Sequence, residues 1–153
     1  MVANRGRLRP MNVALTAQAQ HPEALYQLFR SAMESHVVAA RGEPWNDGRE
    51  RAQFFEQLAP ASVQVIVVEE QVIGFVDLRA FDDHCVVHTM VVAPGWQSSG
   101  IGSAVLGQLK TKWNRISLAV LKTNPGARRF YERAGFREVG STEHHYQMAW
   151  ASK

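Results

Sequence analysis

The segment Val91-Val92-Ala93-Pro94-Gly95-Trp96-Gln97-Ser98-Ser99-Gly100-Ile101-Gly102-Ser103 constrains the fold of this chain more than any other. A β-branched run gives way to a Pro-Gly turn, then to small residues and glycines. A helical pattern follows, with Ile101, Val105 and Leu109 along one stripe. A strand is therefore joined to a helix through a glycine-rich loop. Such a junction gathers main-chain N–H groups at the positive end of the helix, where the first donors have no intrahelical partner. Those are the elements of a phosphate site. Gly100 and Gly102 keep Cβ atoms out of the way of a ligand. No Gly-Lys-Ser/Thr follows, so the loop is not a P-loop. It also lacks the three glycines of a dinucleotide fingerprint, and the strand before it does not begin a βαβ array.

Around this junction the chain reads as alternating strands and helices. Met11 to Gln18 is a first strand. Pro22 and Glu23 open a helix whose Leu25, Leu28, Phe29 and Ala32 share a face. A loop spans Ala40 to Gly48, and a second helix runs from Glu50 to Leu58. Val63–Glu69 and Val72–Ala80 are a hairpin turning at Glu70-Gln71, and His84–Val92 is a third long strand. After the helix Ile101–Trp113, the apolar run Ile116–Leu121 predicts a strand buried on both faces. Asn124 and Pro125 are suited to cap and open a helix that stops at Gly135. Phe136–Val139 and His145–Trp150 close the chain as strands. The strand from His84, its helix and the strand from Ile116 form a βαβ unit with parallel strands.

A length of 153 residues suits one domain, residues 1–153. The net charge of +3 comes from scattered arginines, which reads as a solvated surface and not as a nucleic-acid arm. A nucleic-acid-binding domain would rest on basicity alone. Cys85 is the only cysteine, which excludes an intramolecular disulfide, and His84, His144 and His145 do not make metal-ligand spacing with it. No metal is expected. Residues 1–11 lack the apolar core of a signal peptide, and no run is long enough to span a bilayer. A cytoplasmic protein with no membrane partner is the expectation.

A second motif follows about twenty residues after the loop: Asn124-Pro125-Gly126-Ala127-Arg128-Arg129-Phe130-Tyr131-Glu132-Arg133-Ala134-Gly135-Phe136. Together with Gln97-x-x-Gly100-x-Gly102, it resembles the paired motifs of the GCN5-related N-acetyltransferase (GNAT) superfamily. The resemblance is close over residues 60 to 148 and general in the N-terminal third. It implies an α/β fold, a central mixed sheet flanked by helices on both faces, in which the two parallel strands splay apart. It also implies acetyl-CoA as cosubstrate and transfer to a primary amine, of a small molecule or a peptide, by direct attack in a ternary complex. A homodimer is the family habit. The competing reading is a non-catalytic acyl-CoA-binding module of the same fold.

The same resemblance assigns residues. Main-chain groups of Gln97, Ser98, Ser99, Gly100, Ile101, Gly102 and Ser103 would hold the diphosphate. Those of Met90, Val91 and Val92 would pair with the pantetheine amides, and one N–H there would face the thioester oxygen. Asn124 matches the asparagine that contacts the pantetheine arm, and Tyr131 the tyrosine that protonates the departing sulfur. A phenol near pKa 10 carries that proton at neutral pH. His88, nine residues before Gln97, occupies a place similar to the base of arylalkylamine acetyltransferases. Strand alternation groups it with Val86, Met90 and Val92. On the acceptor side, Glu34, Glu43, Asp47 and Glu50 are acids suited to draw in a cationic amine. Glu34 leads because it stands at a helix C-terminal end, where no dipole rewards an acid. Trp45 and Trp96 are suited to cover that amine, and Asp77, midway along a strand, is the second acidic candidate.

Overall fold

The computed structural model describes residues 12–17 and 20–153. Met11 and Gln18, at the ends of the expected first strand, lie outside the described residues, as do the residues before Met11. In chain order the strands are β1 (Val13–Thr16), β2 (Val63–Val68), β3 (Gln71–Ala80), β4 (Cys85–Val92), β5 (Arg115–Leu121), β6 (Arg137–Ser141) and β7 (His145–Ala151). The helices are α1 (Pro22–Arg41), α2 (Asp47–Gln57), α3 (Ile101–Lys112) and α4 (Pro125–Arg133). All seven strands join one sheet in the order β1-β2-β3-β4-β5-β7-β6. Among the described residues only β4 and β5 are parallel neighbours, as a strand–helix–strand crossover requires.

Each face of the sheet carries a helical layer. On one side Ile101, Val105, Leu106 and Leu109 of α3 pack with Tyr131 of α4 against Ile66, Val76, Val87 and Ile116. On the other, Leu25, Leu28, Phe29 and Ala32 of α1 and Phe54 of α2 cover Val65, Phe75 and Val91. The stripe that spacing predicted for α1 is the one that packs.

Several boundaries differ from the sequence reading, each for a local reason. The first helix runs on to Arg41, where Gly42 at φ 71° closes it, so Glu34 stands inside the helix and not at its end. α2 starts earlier, at Asp47, because the Asn46 side chain accepts the Arg49 N–H at 3.0 Å. The hairpin turns at Glu69-Glu70, both left-handed (φ 52° and 65°), with Val68 opposite Gln71. That is the handedness a two-residue hairpin needs, met here without glycine or asparagine. β5 is buried on one face only. Ile116, Leu118 and Val120 enter the core, whereas Ala119 is exposed on the other side.

The most consequential departure lies in β4. Asp77 pairs with Thr89 and Leu78 with Val87, so His88 has no opposite residue and forms a β-bulge. Side chains therefore change faces across it. Val87 shares the α3/α4 face with Met90 and Val92, while Val91 turns to the α1/α2 side with Phe75. The alternation that grouped His88 with Met90 and Val92 does not survive this extra residue. Pairing with β5 stops at the same point: the register runs Cys85↔Ile116, Val86↔Ser117, Val87↔Leu118 and no further. Beyond it β4 stays on β3 as far as Gly74↔Val92, and β5 stays on β7 as far as Leu121↔His145. The two parallel strands separate into a notch.

Candidate active site

The notch opens a cavity of about 570 Å³ that reaches both faces of the sheet. Asn124, Ala127 and Tyr131 of the α4 layer line it together with Phe29, Met33, Val37, Arg41 and Glu50 of the α1/α2 layer. Between them lie Val87–Val91 and Leu118–Leu121, the two strand stretches that have parted. On the β5 side, the edge of β4 beyond Val87 carries main-chain groups without a strand partner. A buried main-chain polar group left unpaired costs about 1–3 kcal/mol, so this edge calls for a ligand with its own amides or for water.

At one mouth stands the glycine loop. Ser98 (φ 64°) and Gly100 (φ 82°) are both left-handed, the backbone form that gathers N–H groups into an anion nest. Gly100 caps α3 without a side-chain hydrogen bond, and no acid sits in the first turn of that helix. The positive end of α3 is thus left uncompensated. A Cβ on Gly100 would meet nothing within 4 Å, so this position faces open space. Gly102 differs from the sequence expectation. A Cβ there would lie 2.8 Å from Phe130 Cζ, so this glycine lets α4 pack on α3. The Gln97 side chain donates to the Val92 carbonyl at 2.9 Å and ties the loop to the end of β4. Trp96 packs against the α3/α4 core.

Tyr131 is buried, with its ring edge-on to Phe130 and Phe136. Its hydroxyl has no hydrogen-bond partner among the described residues, yet no buried side-chain polar atom there lacks one. The hydroxyl is therefore open to the cavity. Burial pushes the phenol well above its ordinary pKa, which keeps the proton on at neutral pH. Asn124 caps α4 by accepting the Ala127 N–H at 3.1 Å, and it lines the cavity as well.

His88 protrudes into the cavity from the bulge and is exposed. Its pKa is lowered, first by desolvation and then by Arg79, against an opposing pull from Asp77. Asp77, only 1% exposed, accepts both Arg79 Nε (2.8 Å) and a terminal Arg79 nitrogen (2.7 Å). Arg79 also donates to the Gln57 carbonyl at 2.9 Å and so pins the end of α2 to β3. Glu50, the other buried carboxylate among the described residues, pairs with Arg41 at 2.7 Å. Of the four candidate acids Glu34, Glu43, Asp47 and Glu50, Glu50 is the one that lines the cavity.

Glu34 and Trp45 fall outside the cavity lining. They belong to a clasp between α1 and α2. Arg30 reaches Glu34 at 2.7 Å and Asp47 at 3.3 Å, Tyr26 donates to Asp47, and the Trp45 indole donates to the Tyr26 hydroxyl at 3.3 Å. Asp47 is held below its ordinary pKa, chiefly by that Tyr26 bond. Sequence reasoning passed over Arg79 and Met33. The signals were present: Arg79 shares a strand face with Asp77, and Met33 and Val37 continue the spacing of Phe29.

A strand pair that opens beside a helix N-terminus with no side-chain cap, with a phenol and an imidazole lining the opening, has the geometry suited to an acyl-CoA and an acyl acceptor. The model of the acetyltransferase (GNAT) family matches residues 23–136, and the chain belongs to that family. It is an acetyl-CoA-dependent acetyltransferase that acts on an amine. The chain is 26% identical over 140 residues to a ribosomal protein bS18 alanine N-acetyltransferase of Haemophilus influenzae, covering 89% of this chain and 88% of that one. Its fold is similar to the ribosomal-protein-S18-alanine N-acetyltransferase of Escherichia coli (TM-score 0.61, 19% identity, 93% of this chain and 96% of that). It is similar also to the PaiA N-acetyltransferase of Thermoplasma acidophilum, crystallised with coenzyme A (TM-score 0.67, 16% identity, 92% and 99%).

The two loop glycines are separable by experiment. Gly100→Val places a branched residue at positive φ and in the open mouth, and calorimetric titration should show acetyl-CoA binding lost. Gly102→Ala should cost about 1–3 kcal/mol of stability in thermal melts through overpacking on Phe130. Undiminished binding in the first variant, or an unchanged melt in the second, contradicts these roles.

Proposed function

We propose that this enzyme passes the acetyl group directly from acetyl-CoA to a primary amine, of a small molecule or a peptide, with both substrates bound together. The observation that carries this reading is the cavity through the opened sheet, lined both by Tyr131 from the α4 layer and by His88 from the bulge. Holding two reactants in one such space supplies about 7–11 kcal/mol toward the barrier. Cys85 supports direct transfer by default: it is buried, it is not among the cavity-lining residues, and burial pushes its thiol up to about 11.

Bound acetyl-CoA supplies the acetyl thioester. The N–H groups from Gln97 to Ser103 hold its diphosphate, and the free edge of Met90, Val91 and Val92 holds its pantetheine amides. An N–H on that edge donates to the thioester oxygen. Asn124 keeps its oxygen on the Ala127 N–H and offers its amide nitrogen to the arm. His88, neutral at pH 7 because its pKa is lowered, takes the proton from the acceptor ammonium. Tyr131 gives its proton to the leaving sulfur, and the second proton that the nitrogen sheds as the tetrahedral adduct collapses returns to the tyrosine. Asp77 contributes through Arg79, while Glu34 and Trp45 contribute through the clasp that sets α2 and its Glu50 against the cavity.

Tyr131→Phe should lower kcat by about 10²-fold or more with acetyl-CoA affinity nearly intact. Binding weakened more than about tenfold instead would make the tyrosine structural. For His88, the active form is the unprotonated one. Its pKa lies below the ordinary value near 6.5, so kcat/KM should hold through neutral pH and fall only on the acid side of that value. His88→Gln should remove that acid limb. A profile with the limb intact would hand the base role to water.

A further inference from the structure

The acceptor end of the cavity has an uneven chemistry. Leu25 of the α1/α2 layer is committed to the core, and Phe29 and Phe54 pack into it while also bordering the cavity. Met33 and Val37, the next positions on the same α1 stripe, join neither core cluster and line only the cavity. Both are half-buried apolar groups facing the opening between β4 and β5. The buried carboxylates nearby are already engaged. Glu50 is held by Arg41, and Asp77 by both donors of the Arg79 fork. One amine finds a base at His88, but a second ammonium would find no free carboxylate and would be desolvated against methionine and valine.

We propose that the natural acceptor is a primary monoamine borne on an apolar arm, with Met33 and Val37 as the residues that select the arm. The inference rests on the acetyltransferase reading above and names the substrate class for it. The shared chemistry is an ammonium followed by an apolar segment, whether in a free alkylamine or arylalkylamine or at the N-terminus of a peptide with an apolar first side chain. Glycine-like and polycationic amines fall outside it, because the first leaves the stripe uncovered and the second buries a charge without a partner.

The test is a thiol-release assay on the full chain with saturating acetyl-CoA. Its acceptors are hexylamine, 2-phenylethylamine, 1,6-diaminohexane, spermidine and a short peptide beginning with methionine. The expected result is a kcat/KM for hexylamine or 2-phenylethylamine, or for the peptide, at least about 100-fold above that for 1,6-diaminohexane and spermidine. Free amines leading assigns a small-molecule source, and the peptide leading assigns a polypeptide one. Met33→Ala with Val37→Ala should raise KM for the preferred acceptor about tenfold, and most of that preference should vanish. Acetyl-CoA binding measured on the same variant confirms that it is folded. Preference for the diamine or for spermidine overturns the inference and leaves the acetyltransferase reading standing, as does a double variant with unchanged KM and unchanged preference. Acetyl-CoA bound but no amine or peptide acetylated overturns the reading of the site itself, and the inference with it.

Discussion

An extra residue in one strand organises this molecule. His88 has no partner on β3, and at that point β4 ceases to pair with β5. A bulge bends its strand and increases the local twist, which is the movement that carries β4 away from a parallel neighbour. The loss is borne because each strand keeps its outer partner, β3 for β4 and β7 for β5. The inner edges are left with free main-chain donors and acceptors, and the sheet becomes a passage in place of a wall. The same residue that opens the passage projects an imidazole into it.

The two helical layers then divide the work. α3 and α4 lie on the face reached from the glycine loop, and their contact through Gly102 and Phe130 fixes the Asn124 cap and Tyr131 relative to the α3 N-terminus. α1 and α2 lie on the other face, joined by the Tyr26, Arg30, Asp47 and Arg51 clasp. Arg51 also bridges to Glu23 and stacks 4.6 Å from the Tyr26 ring. Each of these ion pairs is partly exposed and individually worth little. Their effect is to hold α2 at one angle, with Glu50 inward toward Arg41 and the cavity. Arg79 secures the far end of α2 through the Gln57 carbonyl.

What the sequence discloses of this arrangement is mostly what is local. A glycine loop before a helix, an Asn-Pro helix start and a Gly stop are chemistry confined to a few residues, and all three stand where spacing puts them. Tyr131 and Asn124 are legible for the same reason, since both are fixed within one short helix. Register is different. Cys85 to Val92 reads as continuous alternation, and only its partner on β3 shows that His88 is supernumerary. The open face of β5 is equally invisible, because burial of Ala119 depends on whether α1 fills the space across from it. Glu34 misled through helix length: Ala40 and Arg41 extend α1 to Gly42, which carries the acid into mid-helix and the Met33–Val37 stripe over the notch. Asp77 is legible as a carboxylate in a strand, but its Arg79 fork requires the side-chain geometry.

In the proposed reading the parted strands and the α3 end that no side chain caps together receive acetyl-CoA. Amide hydrogen exchange with and without saturating coenzyme A tests it residue by residue. Slowed exchange at the amides of Met90 to Val92 and of Gly100 to Ser103, with little change in α1, is the predicted result. Protection confined to other segments, or no protection at either stretch while the ligand is bound, would contradict the account.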